Sequence, residues 1–299
     1  MSGLCEGRVA VVTGAGRGLG RQHALLLAKE GAKVVVNDIG ANVDGTGRDG
    51  SYASQTVADI KKAGGEAIVN GDDVSSWDGS KRMIDQAIST FGKLDILINN
   101  AGILRDRMLT NMDEGEWDAV IKVHLKGTFA PARHAAAYWR DESKKAGGPV
   151  KARIINTSST SGIYGNVGQT NYGAAKAGIA AFTVIAAREL RRYGVTVNAI
   201  SPSAQTRMTE GLRELTPEQR AARDPKWVSP AVVYLASEEA QDITGRVIQA
   251  GFGRIAVCEG WRRGAEVAQV PDPASAGSLL REMLPKVRKN SGMDGLELD

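Results

Sequence analysis

The sequence has few cysteines and few aromatic side chains. Cys5 and Cys258 are its two cysteines, and they form neither a CxxC pair nor a cluster with the three histidines. A disulfide framework and a structural zinc site are therefore not expected, and no metal site is predicted. Aromatic residues make up 5% of the chain, whereas glycine contributes 36 residues. This composition favours a fold with tight turns and close helix–sheet contacts over a β-sandwich with an aromatic core.

Long apolar runs and blocks of one charge are also missing. No apolar run approaches the length of a membrane span, and the N-terminus lacks a basic-then-apolar signal pattern. The sequence therefore predicts a cytoplasmic protein with no membrane partner. The 38 basic and 34 acidic residues give a net charge of +4, and no Lys/Arg run stands out in the first 250 residues. A nucleic-acid partner is not expected from this distribution.

What the sequence does contain is a regular alternation of short aliphatic runs with longer helical stretches. Each run is nearly uninterrupted, as expected for strands buried on both faces. The alternation predicts right-handed βαβ units, and hence an α/β fold of the Rossmann type. We expect a single-domain, doubly wound parallel sheet of about seven strands with helices on both faces. The predicted strands are residues 9–13, 33–37, 67–70, 94–99, 153–157, 196–200 and 246–250.

Two segments depart from this alternation. Residues 40–54 form a Gly/Asp-rich insert after the second predicted strand, which is interpreted as an exposed loop. The composition changes again near the C-terminus, so residues 1–260 are predicted to form the domain and residues 261–299 a C-terminal arm. The arm either packs on the body or on a neighbouring subunit, or it is a partly disordered terminus.

A glycine-rich turn joins the first predicted strand to the first predicted helix. Glycines let the backbone turn sharply and approach a pyrophosphate, and the helix N-terminus supplies free N–H groups. Asp38 follows 18 residues after Gly20, where a carboxylate can accept hydrogen bonds from an adenosine ribose. The pattern predicts a dinucleotide cofactor. Candidate binding residues in the turn are Gly14, Arg17, Gly18, Leu19 and Gly20.

Asp38 also bears on which dinucleotide is bound. A carboxylate beside the ribose repels a 2′-phosphate and favours NAD, whereas Arg17 could pair with that phosphate and favour NADP. Because the repulsion from Asp38 acts at the ribose itself, NAD is predicted over NADP.

Further polar motifs follow other predicted strands. Asp73 and Val74 follow the third strand, and Asn100, Ala101 and Gly102 follow the fourth. The carboxyl ends of the strands are where open α/β sheets bind ligands. These five residues are therefore added to the candidate cofactor site.

Tyr172 and Lys176 form the candidate catalytic pair. They are four residues apart, so they project from one face of a helix. A nearby ammonium favours the phenolate and lowers a tyrosine pKa that is otherwise about 10. Such a tyrosine can exchange a proton with a substrate oxygen while a hydride moves to or from a nicotinamide. Ser159, just after the strand predicted at 153–157, can hydrogen-bond the same oxygen.

The motifs TGxxxGxG, DV, NNAG and Tyr-x3-Lys, in this order, resemble the short-chain dehydrogenase/reductase family over roughly residues 7–255. The resemblance implies that Tyr172 is the general acid/base, that Lys176 lowers its pKa and binds the nicotinamide ribose, and that Ser159 positions the substrate oxygen. It also implies that Thr206 contacts the cofactor. Where the family has a proton-relay asparagine, this chain has His124. The histidine could hold the same water, add a titratable step near pH 6–7, or only pack within a helix.

Several local strings resemble one subgroup of that family more closely. Residues 37–40, 102–108, 123–125, 161–166 and 207–209 are similar to the (3R)-hydroxyacyl-CoA dehydrogenase part of peroxisomal multifunctional enzymes type 2, also known as 17β-hydroxysteroid dehydrogenase type 4. The resemblance implies NAD-linked oxidation of a secondary alcohol on an acyl-CoA or a steroid. An NADPH-dependent 3-ketoacyl reductase and a catalytically silent dinucleotide-binding regulatory protein are the alternatives. A homodimer or homotetramer is expected, because the Ala-rich face of residues 174–187 suits close helix–helix contact.

Overall fold

The computed structural model describes residues 3–204 and 216–297, and its core is one eight-stranded sheet. The strand order is β3-β2-β1-β4-β5-β6-β7-β8, and the first seven strands in sequence run parallel. The predicted Rossmann-like fold class is confirmed. The strands are β1 Val9–Thr13, β2 Lys33–Asn37, β3 Ala67–Asn70, β4 Ile96–Asn99, β5 Arg153–Thr157, β6 Thr196–Pro202, β7 Val247–Gly251 and β8 Arg254–Cys258.

The sequence analysis missed β8, which pairs antiparallel with β7. A two-residue turn joins the two strands, and both Phe252 and Gly253 have positive φ angles, of 51° and 75°. Such turns match the twist of a hairpin. Most side chains of β8 are exposed, including Ile255 at 69% and Val257 at 60%. The strand therefore lacks the buried pattern by which the other strands were predicted.

Helices cover both faces of the sheet. Because side chains alternate along a strand, Ala10 and Val12 of β1 pack on one face, and Val9 and Val11 pack on the other. The first face is covered by α1, α2 and α9, and the second by α3, α5 and α7. The helices are α1 Gly18–Lys29, α2 Ser51–Lys62, α3 Trp77–Phe91, α4 Glu114–Ile121, α5 Gly127–Ala146, α6 Thr160–Ile163, α7 Thr170–Leu190, α8 Pro217–Ala222, α9 Ser229–Ala236 and α10 Pro273–Met283.

The insert after β2 is shorter than predicted and is not a free excursion. Ser51 begins α2, so only residues 40–50 form the loop. The loop closes on itself at Gly40, whose φ is +71° and where a Cβ would lie 2.0 Å from the carbonyl oxygen of Asp49. Its middle is tied to the segment after β4, because the N–H of Leu104 donates to the carbonyl of Val43 at 2.8 Å. The loop thus lies beside the carboxyl ends of the strands.

The C-terminal segment contains α10 and is largely exposed, with Trp261 fully exposed. It contacts the body through Arg254, which donates to the carbonyl of Asp294 at 3.5 Å. The boundary between a domain at 1–260 and an arm at 261–299 stays a prediction. None of the helices in the described ranges offers a stretch long and apolar enough to cross a bilayer.

Candidate active site

A cleft of about 360 Å³ opens at the carboxyl ends of the strands, where the strand order reverses between β1 and β4. Its walls are the glycine-rich turn, the ends of β2, β3 and β4, and the 40–50 loop. The structure places most of the predicted cofactor residues in its lining: Gly14, Arg17, Gly18, Leu19, Asp38, Asp73, Val74, Asn100, Ala101 and Gly102.

The glycine-rich turn leaves space that a side chain would fill. Gly14 has a φ of +64°, and a Cβ on it would lie 2.8 Å from the Cα of Ala101. A Cβ on Gly20 would lie 2.2 Å from the carbonyl oxygen of Gly14, so Gly20 lies behind the turn and supports it. The side chain of Arg17, the N-cap residue of α1, makes no capping hydrogen bond. The N–H groups of the first helical turn are therefore not taken up by that side chain, and because Gly18 and Leu19 line the cleft, the turn fits a pyrophosphate.

Asp38 is fixed at the end of β2 by two backbone amides. Its Oδ2 accepts from the N–H of Gly16 at 2.8 Å, and its Oδ1 accepts from the N–H of Gly40 at 2.7 Å. Each carboxylate oxygen keeps acceptor capacity for a ribose hydroxyl. The guanidinium of Arg17 donates to the carbonyl of Ala41 at 2.7 Å and lies 3.6 Å from the centroid of the Tyr52 ring. These contacts hold the guanidinium against the 40–50 loop and α2, and it makes no ion pair with Asp38.

Thr13 joins the two halves of the sheet at the cleft, a role that the sequence analysis missed. Its Oγ1 accepts from the N–H of Asn100 at 2.9 Å and from the N–H of Ala101 at 3.1 Å. In return, the side-chain amide of Asn100 donates to the carbonyls of Thr13 and Gly14. A polar residue ending an otherwise aliphatic strand was the available signal.

The residues after β3 form the side wall of the cleft. The carboxylate of Asp73 accepts from the N–H of Ser75 at 2.8 Å and from its hydroxyl at 2.7 Å. Val74 packs closely on α5, because a Cβ on Gly127 would lie 2.8 Å from its Cγ2. These contacts fix the DV motif in place.

Three of the predicted catalytic residues meet beyond the cofactor cleft. Tyr172 and Lys176 lie in α7, and the Nζ of Lys176 is 5.5 Å from the centroid of the Tyr172 ring. Ser159 is the N-cap of α6, and its hydroxyl interacts with the Tyr172 phenol in the direction that lowers the pKa of the phenol. Ser158 is fully buried and donates instead to the carbonyl of Lys176 at 2.9 Å. Ser159 is thus the serine that faces the phenol.

Burial is the largest influence on the Tyr172 pKa and raises it, contrary to the lowered pKa expected from the sequence. Burial raises the pKa of Tyr172 to about 12 and lowers the pKa of Lys176 to about 7. Both changes have the same main cause, since a low-dielectric surrounding disfavours whichever form carries charge. The Nζ of Lys176 is anchored by donating to the carbonyl of Thr157 at 2.6 Å.

His124 completes the group from a π-helical turn spanning residues 122–126. Its ring meets that of Tyr172 edge-on, with centroids 5.1 Å apart. Its Nε2 lies 2.7 Å from the carbonyl oxygen and 3.1 Å from the amide nitrogen of Ile103, and its buried Nδ1 has no partner within the described residues. Burial lowers the His124 pKa to about 3. A titratable step at pH 6–7 is therefore not expected from this histidine, whereas its buried Nδ1 fits the role of holding a water.

A buried polar network beneath the site also escaped the sequence analysis. The side chain of Asn99 donates to Asn156 at 2.9 Å, and that of Asn156 donates to Thr183 of α7 at 2.9 Å. The network joins β4 and β5 to the helix that carries Tyr172. An asparagine inside the aliphatic strand 153–157 was the signal for it. Thr206, predicted to contact the cofactor, lies outside the described residues.

Comparison with known proteins adds the family to this geometry. The family model described as short chain dehydrogenase matches residues 8–217. Hydroxyacyl-CoA dehydrogenase ChsB1 of Mycobacterium tuberculosis is 48% identical over 247 residues, which are 81% of this chain and 76% of that protein. A solved structure, a short chain dehydrogenase from Mycobacterium avium, is 50% identical with a TM-score of 0.87 and covers 99% of this chain and 100% of that one.

Peroxisomal multifunctional enzyme type 2 of Drosophila melanogaster is 47% identical over 248 residues, which are 83% of this chain. The match spans only 39% of that longer enzyme. The resemblance noted from the sequence motifs is thereby confirmed. The match of the family model, together with the cleft and the Tyr-Lys pair, shows that this chain belongs to the short-chain dehydrogenase family, whose members are oxidoreductases that use nicotinamide cofactors.

Proposed function

We propose that this chain is an NAD-dependent dehydrogenase that oxidises a secondary alcohol to a ketone on a 3-hydroxyacyl-CoA or a hydroxysteroid. The observation that carries the reaction is the approach of the Tyr172 phenol to both Ser159 and Lys176, next to the cleft. The substrate class is supported by the name of the hydroxyacyl-CoA dehydrogenase relative, which matches over most of both chains.

Each catalytic side chain has a defined task in this proposal. The hydroxyl of Ser159 holds the substrate oxygen, and Tyr172, as the phenolate, takes the proton of the alcohol. Lys176 binds the nicotinamide ribose, and its ammonium stabilises the phenolate. The nicotinamide, when bound, supplies the hydride acceptor. The buried Nδ1 of His124, which has no partner among the described residues, binds a water that carries the proton onward.

The remaining site residues are proposed to bind the dinucleotide. The glycine-rich turn (Gly14, Arg17, Gly18 and Leu19, supported from behind by Gly20) takes the pyrophosphate, and Asp38 takes the adenosine ribose. The side wall (Asp73 and Val74) and the segment after β4 (Asn100, Ala101 and Gly102) enclose the rest. Thr206 stays a prediction, as does the cytoplasmic location expected from the sequence.

The Tyr172→Phe variant tests the reaction. Removing the hydroxyl should lower kcat by about 10²- to 10⁴-fold, because the general base is lost. The Kd for NAD should change little, since the ring remains in place. The measurement is NADH absorbance with a panel of 3-hydroxyacyl-CoAs and hydroxysteroids. A catalytically silent binding protein would show no turnover before the substitution, and a ketoacyl reductase would prefer NADPH with ketoacyl substrates.

The preference for NAD rests on the fixed carboxylate of Asp38. Replacing it by serine removes the negative charge beside the ribose, so the ratio of kcat/KM for NAD over NADP should fall by about tenfold or more. Asp44→Ser is the matched control, because Asp44 is an exposed acid in the adjoining loop that binds its own neighbour Thr46. A wild-type enzyme that prefers NADP would overturn the assignment.

His124 should remain neutral throughout the physiological range, because its folded-state pKa is depressed by burial. Its Cε1–H resonance, assigned by its loss in His124→Asn, should not move between about pH 5 and 8. A titration midpoint near 6.5 for that resonance would show that the ring is accessible to protons. The depressed pKa of His124 also makes the folded state less stable as the pH falls from about 6.5 towards 3. In that range the imidazole binds a proton in the unfolded chain but not in the folded chain.

A homodimer or homotetramer is proposed from the outer face of α7. Ala174, Ala177, Ala181 and Ile185 lie at helical spacing and are all exposed, with Ile185 at 57%. A stripe of small apolar side chains suits the close approach of a second helix. Light scattering should give twice or four times the mass of one chain. Ala181→Glu should reduce that mass, whereas Ser54→Glu, which adds the same charge on exposed α2, should not.

A further inference from the structure

A row of hydrogen bonds leads from a carboxylate to the candidate catalytic serine. The Nε2 of Gln169 donates to Oδ2 of Asp106 at 2.7 Å. The Oε1 of Gln169 accepts from the hydroxyl of Ser161 at 2.7 Å, and the N–H of Ser161 donates to Oγ of Ser159 at 3.2 Å. The row joins the segment after β4 to the N-terminus of α6.

The carboxylate decides which way the amide of Gln169 points. An ionised carboxylate can only accept, so it selects the Nε2 group and leaves Oε1 for the other side. On that side Oε1 accepts from Ser161 and also from the side-chain amide of Asn166, at 2.9 Å. A reversed amide would set NH₂ against both donors and carbonyl oxygen against carboxylate. Asp106 therefore fixes the orientation on which the bond to Ser161 depends.

Gln169 is an unusual residue for the place it occupies. It is the N-cap of α7, a position where Ser, Thr, Asp or Asn stabilises a helix by accepting from the first turn. Its side chain makes no such bond and extends to Asp106 and Ser161 instead. The backbone alongside is also joined across the two loops, since the N–H of Arg107 donates to the carbonyl of Gly168 at 2.8 Å.

We propose that Gln169, oriented by Asp106, is a positioning residue that fixes Ser161 and thereby aims the hydroxyl of Ser159 at the substrate oxygen. This inference rests on the proposed function. The amide of Ser161 occupies one acceptor position of the Ser159 oxygen. The hydroxyl proton of Ser159 is consequently free to donate towards Tyr172 and the substrate rather than towards the backbone.

Asp106 acts on Tyr172 through its charge as well. Three charged or titratable groups face the phenol: Lys176 from its own helix, His124 from the π-helical turn, and Asp106 from the segment after β4. His124 is neutral at physiological pH. The negative charge of Asp106 raises the pKa of Tyr172, so the same carboxylate that orients Gln169 also opposes the phenolate.

Gln169→Leu tests the positioning role. We expect kcat to fall about tenfold, the worth of one hydrogen bond, while KM for the substrate and Kd for NAD change little. Asn166→Ala is the control, because it removes the exposed second donor to Gln169 and should leave kcat unchanged. On the high-pH plateau of the profile, where the charge of Asp106 no longer limits the amount of phenolate, Asp106→Ala should resemble Gln169→Leu. The double variant should there lose no more than either alone, because both act through one row of bonds.

Asp106→Asn separates charge from shape. It retains an acceptor for Gln169 but lacks the negative charge, so the midpoint of the pH profile of kcat/KM for oxidation should move to lower pH. The exposed substitution Asp106→Ala, which removes the acceptor for Gln169, carries the positioning test should Gln169→Leu fail to fold. A kcat for Gln169→Leu within about twofold of wild type would overturn the positioning role, and an unmoved profile for Asp106→Asn would overturn the charge effect of Asp106 on Tyr172. If Tyr172→Phe retains the activity of the wild-type enzyme, the proposed function itself is wrong, whatever the result for Gln169→Leu.

Discussion

The approach of β1 to β4 is the constraint on which the rest of the site depends. Thr13 and Asn100 bind each other across this junction through backbone and side-chain groups, so the turn after one strand is fixed against the turn after the other. A Cβ on Gly14 or on Gly20 would occupy the space that the two turns share. Because the chain leaves these neighbouring strands in opposite directions, the cleft opens between them. The glycines thus serve two purposes, close packing within the protein and access for a dinucleotide.

Burial in the catalytic group works against the charges that the chemistry requires. It favours the neutral phenol of Tyr172 and the neutral amine of Lys176. In this buried surrounding, proton transfer depends on the few groups that stabilise the charged forms. These groups are the hydroxyl of Ser159 and the ammonium of Lys176. The distances between these groups therefore matter more than the mere presence of each residue. The buried network of Asn156 serves the chemistry because it holds the helix that carries Tyr172 against the sheet.

The sequence predicted an element correctly wherever all residues of that element share one kind of environment. β1 and β2 were predicted to the residue because an uninterrupted aliphatic run has no other stable place than a covered sheet. β8 was missed because its side chains are exposed and its pairing comes from a two-residue turn. The contact of Gln169 with Asp106 spans 63 positions of the chain, and no local pattern marks it. The sequence motifs identify which residues form the site. Contacts between loops that are distant in the sequence determine how those residues are arranged.

One short segment after β4 joins the cofactor cleft to the proton-transfer residues. Ile103 binds the ring of His124, and Leu104 binds the loop that borders the cleft. The carbonyl of Arg105 accepts from the side chain of Asn171, immediately before Tyr172, at 2.8 Å, and Asp106 follows with its bond to Gln169. Successive residues of an extended segment point in different directions, so four neighbours can reach four separate partners. A displacement of this segment would therefore alter the cleft, the histidine and the catalytic helix together.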